Sequence, residues 1–107
     1  MVAALTPGEF MDRRRQGETM VLLDVREPWE IALAPVPTEH LRIPMGEIPA
    51  RLAELDRQAR TVVICRSGGR SQQVANFLER QGFSSVVNLT GGILAWSREL
   101  DPSIPQY

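Results

Sequence analysis

Lysine is absent from this chain of 107 residues, and cysteine and histidine occur once each. Without lysine, the chain can carry out neither Schiff-base chemistry nor phosphate binding by a lysine-bearing loop. A single cysteine excludes an internal disulfide bond and a multi-cysteine zinc or iron–sulfur site. A single histidine limits the chain to one Cys–His or Ser–His pair. The sequence therefore predicts no metal site and no cofactor.

Long apolar runs and a strong excess of charge are also lacking. No apolar run approaches the roughly 18 residues that a membrane helix needs. The first residues, MVAALTPGEF, have neither the basic segment nor the long apolar core of a signal peptide. Twelve arginines against thirteen acidic residues give a net charge of −1, which provides no overall field for nucleic acid or an anionic membrane. We therefore expect a cytoplasmic protein with neither as a partner.

The length and the composition, 43% hydrophobic and 23% charged, are typical of one soluble globular domain. This domain is predicted to occupy residues 1–107, with a core at about 5–100 and a C-terminal tail at 101–107 whose order the sequence does not determine. Strands that alternate with helices predict an α/β fold in which helices cover both faces of a parallel sheet. The predicted strands are 20–25, 40–43, 61–65 and 85–89, and the predicted helices are 6–17, 45–55, 71–81 and 93–99.

Both tryptophans and the histidine are more simply explained by packing than by chemistry. We expect Trp29 and Trp96 in the core rather than in a pocket wall. We expect His40 to pack at a strand edge rather than to shuttle protons. The prolines between the first two predicted strands indicate a loop there. The predicted helix 45–55 carries one apolar stripe, formed by Ile48, Leu52 and Leu55.

The sole cysteine directly follows the clearest predicted strand and precedes a predicted helix. Ligands of parallel sheets bind beyond the carboxyl ends of the strands, so Cys65 lies where a site is expected. Gly68 and Gly69 let the backbone turn sharply and aim N–H groups inward. The start of the next helix adds unpaired N–H groups and the positive end of its dipole, and Arg66 and Arg70 add cationic charge. This environment favours a Cys65 thiolate and an anion bound around it.

Two serines complete the loop. Ser71 is suited to cap the following helix, and Ser67 can contribute a hydroxyl donor. The alternative is a cysteine buried only for packing, since free cysteine is commonly buried. Packing alone does not need two glycines and two arginines in the next five positions, which favours the functional interpretation.

The segment Cys65–Ser71, CRSGGRS, resembles the active-site loop of the rhodanese-like sulfurtransferases. Asp24–Glu30, DVREPWE, resembles the first signature of this family, and Gly91–Trp96, GGILAW, resembles its closing signature. The order and spacing of the three segments fit one rhodanese module over about residues 5–100. The resemblance implies the rhodanese-like fold, with a central, mainly parallel sheet of about five strands and helices on both faces.

The resemblance also implies structural support from three charged residues. Asp24 and Arg26 would form a charge-assisted pair at the strand end, and Glu30 would tie down a loop. A direct role of Asp24 in orienting an active-site group, or of Arg26 in anion binding, is the alternative. One segment departs from the family pattern, because the usual His-Ile-Pro-Gly-Ala is replaced by Val36–His40. The family therefore does not predict the path of residues 31–42.

Loop length separates sulfur transfer from phosphate chemistry. The fold also resembles that of cysteine-loop phosphatases and arsenate reductases, but those phosphatases place five residues between Cys and Arg, whereas four separate Cys65 from Arg70. One residue fewer reduces the radius of a closed loop by roughly 0.5 Å, which favours a single sulfur atom over a tetrahedral oxyanion. Sulfur transfer from thiosulfate also needs little acid–base help, because sulfite is a good leaving group.

We therefore expect a thiosulfate sulfurtransferase that forms a persulfide on Cys65 and passes its sulfur to cyanide or a thiol. The partners are a small anionic sulfur donor and a thiophilic acceptor, which includes thiol proteins. The resemblance implies a monomer or a weak dimer. A persulfide carrier or regulatory binding module, and a cysteine-loop phosphatase or arsenate reductase, remain alternatives. The expected substrate-binding residues are Arg66, Ser67, Gly68, Gly69, Arg70 and Ser71.

Overall fold

Five parallel strands form one sheet in the computed structural model, which describes residues 2–107. Their order across the sheet is β1-β5-β4-β2-β3, and every strand pair is parallel. The predicted α/β fold with a parallel sheet of about five strands is confirmed. The strands are β1 Ala3–Leu5, β2 Val21–Asp24, β3 Leu41–Arg42, β4 Arg60–Ile64 and β5 Ser85–Leu89.

Helices cover the sheet on both faces, and the alternation of side chains along the central strand shows this. Val62 of β4 belongs to one buried cluster together with Phe10 and Trp96. The next residue, Val63, belongs to a second cluster together with Leu78. Since successive strand residues point to opposite faces, these clusters are the two sides of the sheet. The helices are α1 Pro7–Arg15, α2 Pro28–Leu33, α3 Gly69–Arg80 and α4 Gly92–Glu99. None of the helices within residues 2–107 has the length and apolarity to cross a membrane.

Helix α1 begins where its sequence predicts. The Glu9 N–H donates to Thr6 Oγ1 at 3.1 Å, and the Thr6 N–H donates to Glu9 Oε1 at 2.8 Å. This reciprocal capping box satisfies two backbone donors at the helix start, and Pro7 occupies a first-turn position where no N–H is needed.

Two elements are present that the sequence did not predict. β1 has three residues, which is too short to produce a recognisable pattern. α2 lies in the segment that the prolines predict as a loop. In fact Pro28 stands in the first turn of α2, and Glu30 Oε2 accepts a hydrogen bond from the Glu27 N–H at 2.9 Å. The proline therefore starts a helix here.

The predicted α-helix 45–55 is wrong. The chain forms two short 3₁₀ segments there, Met45–Glu47 and Pro49–Glu54, with non-helical dihedral angles at Arg51. Pro49 has no N–H to donate, so an α-helical ladder cannot run through it unbroken. The apolar positions still face the sheet, since Ile48 and Leu55 are buried and Leu52 packs against them.

The tryptophan prediction holds for Trp96 and fails for Trp29. Trp96 is buried beside Phe10. Trp29 is 62% exposed and contacts the Tyr107 ring edge-on, with 6.1 Å between ring centroids. The reason is that Trp29 lies on the six-residue α2, which buries Ile31 instead. His40 is half-buried, and its Nδ1 lies 2.7 Å from the Thr38 carbonyl oxygen just before β3.

Strand order places two loops side by side at the carboxyl edge of the sheet. From β2 the chain crosses to β3 on one side, and from β4 it crosses to β5 on the other. Between β2 and β4 the direction of winding reverses, which is where parallel sheets open a crevice for ligands. Asp24, the last residue of β2, pairs in register with Ile64 of β4. The loop that starts at Cys65 therefore lies next to the loop that starts at Val25.

A fully buried ion pair closes the end of β2. The Arg26 Nη2 lies 2.8 Å from Asp24 Oδ2, and both side chains have 0% exposure. The guanidinium also donates to the Ala34 carbonyl oxygen at 2.9 Å and to the Tyr107 hydroxyl at 3.2 Å. Arg26 thus joins β2, the end of α2 and the C-terminal residues. Ile104 is buried as well, so the segment whose order the sequence left open packs on the domain.

Removal of the Asp24 charge is expected to destabilise the protein strongly. In Asp24→Asn the Arg26 cation stays buried without a counter-charge, so the free energy of unfolding should fall by about 3–5 kcal/mol. Urea denaturation at neutral pH measures this loss. Asp12→Asn is the matched control, because the Asp12–Arg15 pair is exposed and should make no measurable contribution. Equal stabilities of the two variants would contradict a structural role for the buried pair.

Candidate active site

The cysteine loop runs from the end of β4 into α3, and one glycine makes its turn. Gly68 has φ 109°, in the left-handed region that favours glycine, and it directly precedes α3. Gly69, also expected to shape the turn, is the first residue of α3 and has no positive φ. The tight turn therefore needs Gly68, because helix geometry at Gly69 is open to any residue.

The sulfur of Cys65 lies among polar groups at the floor of this loop. The Gly68 N–H points at Sγ, with 3.1 Å between nitrogen and sulfur. The thiol lies 3.3 Å from Ser71 Oγ, to which it can donate. Cys65 is 1% exposed, and apolar side chains cover the side of the residue that faces the sheet. A cysteine that only filled the core would not receive a backbone donor, so this arrangement favours a functional sulfur.

The start of α4 holds the first two carbonyl groups of the loop. The Ile93 N–H donates to the Cys65 carbonyl oxygen at 2.9 Å, and the Leu94 N–H donates to the Arg66 carbonyl oxygen at 3.1 Å. In a trans peptide the N–H points opposite to the carbonyl. The N–H groups that follow these two carbonyls therefore point away from α4. Gly92 makes the approach feasible, because a Cβ on Gly92 would overlap both carbonyl oxygens, lying 2.5 Å from that of Arg66.

Arg70 forms a bidentate ion pair with Glu30. Its Nη1 and Nη2 donate to the two carboxylate oxygens of Glu30 at 2.8 and 2.7 Å. Glu30 has 4% side-chain exposure, and the Tyr107 hydroxyl also donates to it at 2.9 Å. The hydrogen bonds from Arg70 lower the pKa of Glu30 to about 2. Glu30 thus ties the end of the loop to α2, and it compensates much of the charge of Arg70.

Arg66 is the second arginine of the loop, and its surroundings differ. Within residues 2–107 no aspartate or glutamate pairs with it. Its guanidinium lies over the Tyr107 ring, 5.1 Å from the centroid, and donates to the Tyr107 carbonyl oxygen. Arg66 and Ser67 are exposed. Of the two loop arginines, Arg66 is therefore the exposed one and the one that no aspartate or glutamate neutralises within residues 2–107.

Asn88 contacts the cysteine loop, although the sequence pattern predicts it only as a strand residue. Its Oδ1 lies 2.5 Å from Ser71 Oγ, and its Nδ2 donates to the Gly68 carbonyl oxygen at 3.3 Å and to Gln72 Oε1 at 3.1 Å. A signal was present in the sequence, since an amide in an otherwise apolar buried strand must find hydrogen-bond partners. Tyr107 was missed because nothing in the sequence relates the tail to the loop.

Comparison with known proteins agrees with this geometry. A family model described as Rhodanese-like domain matches residues 6–99. The chain belongs to this family. A protein of Allochromatium vinosum named sulfurtransferase is 40% identical over 98 residues, which cover 92% of this chain and 91% of the relative. A chloroplastic rhodanese-like/PpiC domain-containing protein of Arabidopsis thaliana is 48% identical over 102 residues, and the chain spans 32% of its length.

A solved structure extends the similarity to the backbone. The rhodanese-like domain protein from Staphylococcus aureus superposes with a TM-score of 0.82 at 29% identity. The match covers 89% of this chain and 91% of that protein. No three histidine, cysteine, aspartate or glutamate side chains within residues 2–107 lie together as a metal-binding group.

Because α4 approaches the cysteine loop so closely, a methyl group added at Gly92 is expected to destabilise the protein. Gly92→Ala should lower the free energy of unfolding by about 2–3 kcal/mol, because a Cβ overlaps the loop backbone and φ is left-handed there. Thermal unfolding measures the loss. Gly46→Ala is the control, since a Cβ at Gly46 meets nothing within 4 Å. A Gly92→Ala protein as stable as Gly46→Ala would show that α4 does not hold the loop closely.

The Glu30–Arg70 pair predicts a pH dependence of stability. The folded pKa of Glu30, about 2, lies below its usual value of 4.5, so the pair stabilises the protein above about pH 5 and is lost as the pH falls toward 2. With allowance for the partial exposure of Arg70, the contribution is about 2 kcal/mol at neutral pH. Glu30→Gln should therefore be less stable than the parent at pH 7, and urea unfolding curves of the two should converge between pH 5 and about 2. A difference that does not change over this range would exclude the Glu30 carboxylate as its source.

Proposed function

We propose that this protein is a sulfurtransferase that carries sulfur as a persulfide on Cys65. The donor is thiosulfate or a similar anion, and the acceptor is cyanide or a thiol. The observation that carries the proposal is the six-residue loop that ends at Arg70 and directs the Gly68 N–H onto Sγ at 3.1 Å. Membership of the rhodanese-like family, with a relative named sulfurtransferase that matches along 91% of its length, supports sulfur transfer in general.

In the first step the Cys65 thiolate attacks the outer sulfur of thiosulfate. A bond forms between Sγ and that sulfur, and the bond between the two sulfurs of thiosulfate breaks. Sulfite leaves with the bonding electron pair, and the negative charge of the thiolate moves to the outer sulfur of the persulfide. Arg66, which has no aspartate or glutamate partner among the described residues, holds the sulfonate oxygens during the attack. The loop N–H groups stabilise the persulfide anion.

In the second step the acceptor removes the outer sulfur. Cyanide attacks this sulfur, its bond to Sγ breaks, and the products are thiocyanate and the Cys65 thiolate. With a thiol acceptor, the attacking thiolate becomes the new persulfide. Each half-reaction conserves charge and needs no cofactor, and the enzyme returns to its starting state. The two half-reactions predict ping-pong kinetics.

Phosphate-ester hydrolysis fits these groups less well. A cysteine phosphatase needs a general acid to protonate the leaving oxygen. Glu30, the carboxylate that contacts the loop, has a pKa of about 2 because Arg70 donates two hydrogen bonds to it. It is therefore ionised at neutral pH and cannot supply a proton. Asp24 is occupied in the buried pair with Arg26. Sulfur transfer does not require the missing acid.

The decisive experiment is a thiosulfate–cyanide assay. The parent should form thiocyanate, and Cys65→Ser should reduce the rate to background, because serine supplies no thiolate at neutral pH. After thiosulfate treatment and removal of excess donor, intact-mass spectrometry should show one added sulfur atom on the parent and none on Cys65→Ser. Ser84→Ala, at an exposed position, controls for handling of the variants.

Three results would each redirect the proposal. A parent that holds a persulfide but forms no thiocyanate is a sulfur carrier. A parent that hydrolyses an aryl phosphate through Cys65, without gaining sulfur, is a phosphatase. A parent that does neither, although folded, is a binding module.

A further inference from the structure

Asn88 links the middle of the sheet to the cysteine loop. The residue is 8% exposed and lies on β5, whose neighbouring residues are apolar and buried. Its side-chain amide contacts two residues that themselves touch the Cys65 sulfur, namely Gly68 and Ser71. A buried amide in this position is costly unless it is fully hydrogen-bonded. These hydrogen bonds satisfy both ends of the buried amide and connect it to two residues that contact the sulfur.

The orientation of the amide follows from its partners. The Gly68 carbonyl oxygen lies 3.3 Å from one end of the amide, and a carbonyl oxygen can only accept. That end must be Nδ2, which also reaches Gln72 Oε1 at 3.1 Å. The other end is Oδ1, which lies 2.5 Å from Ser71 Oγ. Because Oδ1 only accepts, the hydrogen between these two oxygens belongs to Ser71.

Ser71 has one hydroxyl hydrogen and three neighbours that compete for it. Asn88 Oδ1 lies at 2.5 Å, the Gly68 carbonyl oxygen at 3.2 Å and the Cys65 sulfur at 3.3 Å. The shortest contact receives the hydrogen. Ser71 Oγ then presents a lone pair to the sulfur, so that it can accept from a thiol but cannot donate to a thiolate.

We propose that Asn88 is a positioning residue that holds the Ser71 hydroxyl hydrogen away from the Cys65 sulfur. The thiolate is then solvated by the loop backbone but not by Ser71, which leaves a more reactive lone pair on sulfur. For the sulfurtransferase proposed above, this lone pair is the one that attacks the donor, so the role in catalysis rests on that proposal. The hydrogen-bond chain from Cys65 through Ser71 to Asn88 does not depend on it.

Charged groups around the sulfur remain in place when Asn88 is changed. Arg70 is in electrostatic contact with Cys65 and is paired with Glu30 of α2. Arg66 is the other cation of the loop, and at the end of β2 Arg26 is neutralised by Asp24. β5 carries no charged residue, and the partners of Asn88 are all neutral. A neutral substitution at Asn88 therefore changes hydrogen bonding and not charge.

The test measures alkylation of Cys65 by iodoacetamide as a function of pH, which requires no sulfur donor. In Asn88→Leu the Ser71 hydroxyl loses its shortest acceptor. Of the two acceptors that remain, the anionic sulfur at 3.3 Å binds the hydrogen more strongly than the neutral Gly68 carbonyl oxygen at 3.2 Å. The midpoint of the rate curve should fall by about one pH unit, the effect of one hydrogen bond to a charged group. The rate at high pH should fall about threefold, because nucleophilicity decreases with basicity at a Brønsted slope of about 0.4–0.5. Asn88→Asp should shift the midpoint in the opposite direction, since a carboxylate holds the hydrogen more strongly and adds negative charge.

Dependence on Ser71 separates positioning from general damage to the loop. In a Ser71→Ala background, Asn88→Leu should leave the midpoint within about 0.3 pH unit of Ser71→Ala alone, as expected for two residues that act through one interaction. Gln73→Leu is the control, because Gln73 is an exposed amide on α3 that, within residues 2–107, forms no hydrogen bond with Ser71, Gln72 or Asn88. Its curve should coincide with that of the parent.

The outcomes decide between the explanations. An unchanged midpoint in folded Asn88→Leu, or a shift that persists without Ser71, overturns the proposal. If Asn88→Leu does not fold, the Asn88→Asp curve decides, and a midpoint at or below that of the parent overturns it. A parent that forms no thiocyanate while the alkylation curves behave as expected refutes the sulfurtransferase proposal and leaves the positioning role intact.

Discussion

Two backbone hydrogen bonds from the start of α4 determine the shape of the site. The N–H groups of Ile93 and Leu94 bind the carbonyls of Cys65 and Arg66, and the peptide N–H groups that follow point the other way. A loop at the end of a strand otherwise has carbonyls and N–H groups in mixed directions. Here α4 binds two of the carbonyls and so keeps them away from the sulfur, which accepts a hydrogen bond from the Gly68 N–H. The contact is close enough that position 92 has room only for glycine.

Charged side chains outside the loop give its two arginines different surroundings. Glu30 accepts hydrogen bonds from both terminal nitrogens of Arg70. The Tyr107 hydroxyl donates to Glu30 and accepts from the buried Arg26, and so links the two. Arg70 thereby becomes part of the structure that positions the loop. Arg66 lacks an aspartate or glutamate partner among the described residues. One loop is thereby both firmly held and cationic, since the arginine that Glu30 neutralises is not the one that stays exposed.

Much of the fold follows from local patterns. The apolar β5 has the predicted bounds, and α1 begins at its predicted capping box, because these signals involve residues close in sequence. The segment 45–55 keeps the predicted inward-facing residues but not the predicted helix, since apolar spacing does not distinguish an α-helix from two 3₁₀ turns around a proline. Trp29, which is predicted in the core, is exposed because it lies on a short helix that buries Ile31 instead.

The sequence alone determined which reactive and charged groups the loop contains. These are one thiol, a glycine turn and arginines that directly follow a buried strand, in a loop too short for the phosphatase pattern. These features are contiguous in the sequence, so they necessarily lie close together in the folded loop. Only the tertiary structure decided which distant groups meet that loop. Asn88, Glu30 and Tyr107 come from β5, α2 and the C-terminal segment, and parallel crossovers bring them to one edge of the sheet. No local pattern encodes such a meeting, because it depends on the order of the strands and on the packing of the helices between them.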